Sequence, residues 1–110
     1  MKTSELTGAA LDWAVAKCED ASLDTLESYV DGMREADDGN YSTNWAQGGP
    51  LVEREKIGVG YTTEGGATWL AAKTDDPFYI SGPTPLIAAM RCYVASKMGD
   101  TVDIPEELTP

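Results

Sequence analysis

The chain reads as an α+β domain, with two or three helices packed on a small, mainly antiparallel β-sheet. Three observations predict this. Apolar residues recur at helical spacing over residues 8–19, 22–35 and 86–98. On either side of Gly65-Gly66 they alternate instead, which is the pattern of a hairpin. No strand–helix–strand alternation runs through the chain, so a doubly wound parallel sheet is not indicated. With 110 residues, 42% of them hydrophobic, the chain can build one modest core.

Residues 2–6 read as a short strand or extended lead-in. Thr7 follows as a helix N-cap, with Leu6 and Leu11 spaced as a hydrophobic staple. In the helix from Gly8 to Glu19, Leu11, Ala14, Val15 and Cys18 share one face. Ala9, Trp13 and Ala16 make a second apolar face, so this helix is either sandwiched or walls a pocket. The next helix, Ser22 to Glu35, places Leu23, Leu26, Tyr29, Val30 and Met33 opposite its acids and stops at Asp37-Asp38-Gly39-Asn40. Pro50 reads as the opening residue of a short helical turn through Arg54. Ile57 to Thr63 and Ala67 to Lys73 form the hairpin, and Phe78 to Ile80 a third short strand. Thr84 as N-cap, Pro85 as first residue and Gly99 as stop bracket a helix over 86–98. Its broad apolar face and its run of Ala88, Ala89, Cys92 and Ala95 predict burial nearly all round. Residues 1–98 are thus read as the compact domain, and 99–110 as an extended or frayed acidic C-terminal tail.

The formal net charge is −11, from 8 Lys+Arg against 19 Asp+Glu. It is concentrated in residues 19–38 and 99–110, and elsewhere acids and bases balance. Such a surface argues against holding a nucleic-acid backbone by bulk charge. The chain has no His, which excludes Ser-His-Asp and Cys-His nucleophiles, imidazole zinc sites and His proton shuttles. Glu53 and Glu55, two apart on a helical turn, would not face each other as an acid–base pair. Asp37-Asp38 and Asp75-Asp76 lack calcium-loop spacing. The expectation is a non-enzymatic protein with no metal and no cofactor. Cys18 and Cys92 read as small, reduced core residues. No apolar run of signal-peptide or membrane-span length is present, so a protein of the cytoplasm is expected.

Three segments carry a family resemblance: LTGAALDWAVAKCE at 6–19, YSTNWAQGGPLVEREKI at 41–57 and GPTPLIAAMRCYVASKMGDTVDIPEEL at 82–108. In this order, with Trp69 before the last, they resemble the NinX-like family of small tailed-phage proteins, encoded in phages and prophages of enteric bacteria. Residues 20–40 fit that pattern least well. The resemblance implies a phage early or accessory protein acting in the host cell cytoplasm. It supplies no catalytic residue to carry over.

The segment around Tyr41, Thr43, Asn44, Trp45, Gln47, Gly48 and Gly49 carries no formal charge. A ring that can stack, amides that donate and accept, and glycines that admit close backbone approach suit a nucleobase or ribose. The bland alternative is a structural loop tucked in by Trp45. Thr84, at a helix N-terminus, could help hold an anion or simply cap the helix. Arg91, the one charge within an apolar helix, needs an internal carboxylate or a ligand anion. These nine residues make up the predicted ligand site. The function expected is capture of a small nucleotide-derived molecule, such as a host-defence signal. The alternative is docking of the acidic 19–38 segment on a basic host protein, against a plain solvated helix face. A homodimer is compatible with so small a domain.

Overall fold

The computed structural model describes residues 1–31, 39–74 and 76–109. Helix α1 spans Gly8–Cys18, α2 Leu23–Asp31, α3 Trp45–Arg54 and α4 Pro85–Met98. The strands are β1 Ile57–Thr62, β2 Thr68–Lys73 and β3 Ile80–Gly82, antiparallel in the order β1-β2-β3. The fold is α+β, with four α-helices among the described residues where the sequence suggests two or three.

Helix α4 is the spine. Thr84 caps it by accepting from the Ile87 N–H at 3.1 Å, Pro85 opens it, and every residue from Leu86 to Val94 is buried. Its small residues let the sheet approach closely. A Cβ placed on Gly82 would stand 2.6 Å from the Ala88 nitrogen, so β3 can lie on α4 only with glycine there. One face of the sheet, with Ile57, Ala71 and Ile80, packs on this helix.

Helix α1 lies between α4 and α2, and residues 10–16 are all buried, as its two apolar faces require. It ends in a Schellman turn: Asp20 takes a φ of 57° and the Ala21 N–H reaches back to the Ala16 carbonyl at 3.0 Å. Thr7 stands at the N-cap, but its side chain makes no capping bond. Helix α2 starts from Ser22, whose hydroxyl accepts from the Thr25 N–H. It buries Tyr29, which donates to the Gly39 carbonyl at 2.5 Å. The predicted continuation of α2 through Glu35, with the turn at 37–38, lies outside the described residues.

Four sequence readings are corrected. Residues 45–49 are not loop: α3 begins at Trp45, and Pro50 sits inside it rather than opening it. Asn44 decides this by accepting from the Ala46 N–H at 2.9 Å, which starts the helix five residues early. The third strand begins at Ile80 and runs to Gly82, because Asp76 accepts from the Phe78 N–H and holds 76–78 in a turn. Residues 3–5 form a 3-10 turn rather than a strand, and the segment after Gly99 is neither extended nor frayed throughout. Lys2 and Thr101 form a β-bridge, Met1 and Val102 exchange two hydrogen bonds, and Thr3 binds the carbonyls of Gly99 and Asp100. Val102 is buried, and residues 106–108 add a second 3-10 turn near α2. No helix among the described residues is long and apolar enough to cross a membrane.

Candidate functional site

The uncharged segment before and within α3 is drawn together by its own hydrogen bonds. The Asn44 Oδ1 is engaged by its cap. Gln47 Oε1 accepts from the Asn40 N–H at 2.8 Å, and buried Asp12 accepts from the Ser42 N–H at 2.9 Å. Gly48 is buried against Tyr41 and Leu86: a Cβ there would stand 2.2 Å from the Tyr41 carbonyl oxygen. That glycine serves packing between protein segments rather than backbone approach to a ligand. Gly49 lies beside the Trp45 ring, which is 53% exposed, and Thr43 is exposed. Of the predicted polar side chains, then, Asn44, Gln47 and Thr84 each accept a bond within the chain through their oxygen, while Trp45 presents an open ring.

Arg91 is buried, and within the chain it bonds to main-chain carbonyls rather than to a carboxylate among the described residues. Its Nε donates to the Leu6 carbonyl at 2.7 Å, and its Nη1 to the Ser81 carbonyl at 2.9 Å. Among the described residues no carboxylate pairs with it, and burial pushes its pKa below the ordinary arginine value. An isolated buried cation is costly, and two carbonyl dipoles offset that cost only in part.

Beside the Arg91–Ser81 contact is an open cleft of about 390 Å³, which Arg91 itself does not line. Ser81, which accepts from Arg91, and Ala95, one helical turn further along α4, both line it. Phe78, Tyr79, Lys2, Ser4, Asp100 and Thr101 are also in its lining. Phe78 is 43% exposed and Tyr79 64%. A smaller hollow of about 240 Å³ continues past Phe78 toward Lys73, Asp76 and Cys92. None of the nine sequence-predicted residues lines either hollow. Sequence reasoning missed this cleft because it assigns Phe78 and Tyr79 to a strand. The available signal was three large apolar residues in a row directly after Asp75-Asp76-Pro77.

A third cluster joins α1, α3, β2 and α4. Arg54 binds both carboxylate oxygens of Glu19, at 2.9 and 2.6 Å, and reaches Glu55 at 2.9 Å. Tyr93 donates a short bond to Glu19, and Lys73 pairs with Glu55 at 3.1 Å. The Arg54 guanidinium holds the Glu19 and Glu55 carboxyls below the usual range. Burial, helped by Glu19, raises the Tyr93 hydroxyl above its ordinary value. Burial likewise pushes the Cys18 thiol up to about 11 and raises that of Cys92; both cysteines are free. Each of these shifts moves the group away from neutral pH, opposite to what proton transfer needs. The cluster therefore works as a clamp between elements. Among the described residues no group of three or more His, Cys, Asp or Glu side chains is placed to hold a metal ion.

No curated protein matches the chain. Residues 2–97 match the model of a family described as Bacteriophage P22, NinX, a match that runs through residues 20–40 and covers most of the domain.

Proposed function

The chain belongs to the bacteriophage P22 NinX family, and from that premise we propose that it is a non-enzymatic binder of a small, planar, anionic molecule of nucleotide type. The observation that carries this reading is the 390 Å³ cleft, whose lining combines exposed Phe78 and Tyr79 with Lys2, Asp100 and Ser81, the last holding Arg91 through its carbonyl. A base can stack on the rings, and every base offers them the same π-face. A phosphate can pair with Lys2, and Arg91, which no carboxylate among the described residues pairs with, adds positive charge beyond Ser81. The volume suits a ligand of drug-like size. The lack of His and the pKa directions around Glu19 and Tyr93 support binding over catalysis. In a phage protein inside the host cell, such a cleft would capture a nucleotide-derived defence signal.

Calorimetry and thermal shift against nucleoside phosphates, cyclic dinucleotides and ADP-ribose derivatives test this. Binding of at least one is expected. Tyr79→Ala and Phe78→Ala should each weaken it by about tenfold, the worth of one lost stacking contact. Binding lost in Trp45→Ala but kept in both cleft variants would move the site to the start of α3. An absence of binding across the panel would refute the nucleotide reading.

A further inference from the structure

Strand β1 is an edge of the sheet, and the geometry points to a second copy of the chain pairing with it. The Thr74 N–H bonds to the Lys56 carbonyl at 3.0 Å, and Lys56 continues the register that sets Ile57 opposite Lys73. In an antiparallel ladder this alternation is fixed. The backbone groups of Gly58, Gly60 and Thr62 therefore face β2, and those of Ile57, Val59 and Tyr61 face outward. Among the described residues no other segment bonds to those three.

Natural edge strands are usually blunted by a charge, a proline, a bulge or a covering element. Residues 57–62, Ile-Gly-Val-Gly-Tyr-Thr, carry neither charge nor proline, and their register with β2 has no bulge. Gly58 and Gly60 are exposed, and a Cβ built on Gly60 would meet nothing within 4 Å.

The strand is complementary to itself. Two copies related by a twofold axis through Val59 set Val59 opposite Val59 and Ile57 opposite Tyr61. The three outward residues of each copy then exchange six hydrogen bonds, giving one continuous six-stranded sheet. This register brings Lys56 of each copy to the diagonal neighbour of Glu64 in the other, within reach of long side chains. Two molecules of net charge −11 thus meet along an uncharged strand with opposite charges at both ends. Tyr61, 56% exposed and packed edge-on to Trp69 at 5.0 Å, would gain cover from the partner's Ile57. A contact built on one strand pair is small, so a weak, concentration-dependent dimer is expected.

Sedimentation velocity over a wide concentration range tests the pairing. The wild-type chain should pass from monomer to dimer. Val59→Pro removes two of the six bonds at a position whose N–H faces outward, where an edge strand tolerates proline. It should weaken the dimer roughly 30-fold. Lys56→Glu should weaken it about tenfold, and Lys56→Glu with Glu64→Lys should restore it. The charge pair decides the matter if the proline variant does not fold. A chain that stays monomeric at every concentration, or a dimer indifferent to both the proline and the charge exchange, overturns the proposal.

Discussion

Adjacent glycines in α3 should respond to alanine unequally. At Gly49 an added Cβ would lie 3.7 Å from the Trp45 ring, an ordinary contact. Gly49→Ala should nonetheless change stability by less than about 0.5 kcal/mol, because the conformational freedom that glycine forfeits in a helix is offset by the Pro50 ring, which crowds a Cβ on the residue before it. Gly48→Ala gains the same propensity but brings its Cβ to 2.2 Å from the Tyr41 carbonyl oxygen and 2.7 Å from a Leu86 methyl. The methyl can turn aside. The carbonyl cannot easily do so, because Asn40 accepts from the N–H groups of Thr43 and Asn44 and holds that turn. Overpacking of this kind costs about 1–3 kcal/mol, occasionally more. After the propensity gain, a net loss of about 1–2 kcal/mol remains for Gly48→Ala. Urea denaturation of the two variants beside the wild type reads both effects, and the difference between them should be about 1–2 kcal/mol. Were Gly48→Ala as stable as Gly49→Ala, the docking of α3 on Tyr41 and Leu86 would be wrong. Gly48 would then be free for the ligand role that its sequence context suggests.

Three further outcomes follow from the same contacts. Thr84→Ala should cost about 1 kcal/mol in a thermal or chemical melt, because it frees the Ile87 N–H, while ligand binding in the cleft stays unchanged. The Cys18 thiol, held at about 11 by burial, should react with a thiol reagent at mildly alkaline pH far more slowly in the folded chain than in denaturant. Glu19 titrates below its unfolded value, so its stabilisation is complete above that value and fades as the pH falls through the lower folded one. Glu19→Gln should flatten the acid limb of the stability profile by about 1 kcal/mol at most, since Arg54 is half exposed.

The elements that announced themselves in the sequence are those whose signals are local. Thr84, Pro85 and Gly99 bracket α4, and Gly65-Gly66 marks the hairpin, because caps and turns are decided within a few residues. Helix α3 was misread because Pro50 and two glycines are poor helix formers. The Asn44 cap and the fit of Gly48 against Tyr41 override that weak preference, and such a fit is a property of packing. The cleft was out of reach for a stronger reason. It is assembled from residues 2–4, 78–81, 95 and 100–101, which meet only once Lys2 and Thr101 have paired. Arg91 was correctly singled out as needing a partner. That the partners are the main-chain carbonyls of Leu6 and Ser81 is invisible to a reading based on side-chain charge.

The two functional readings part company on salt. Of the bases that could draw an anion, Arg54 and Lys73 are already paired with Glu19 and Glu55. Near the cleft stand Lys2 and Asp100 in its lining and Arg91 on the Ser81 carbonyl, set against a net charge of −11. At physiological ionic strength charges more than about 8 Å apart in solvent are largely screened, whereas a buried cation is screened much less. Added salt should therefore weaken the long-range repulsion of an anionic ligand more than its attraction to Arg91. Affinity for a nucleotide should hold steady or rise between low and physiological salt. Docking of exposed Asp24, Glu27 and Asp31 on a basic protein must behave in the opposite way, with association slowing steeply as salt is added. Titrating a nucleotide hit at several salt concentrations distinguishes the two. A steep loss of nucleotide affinity with salt would show that exposed surface charge, and not the cation behind Ser81, holds the ligand.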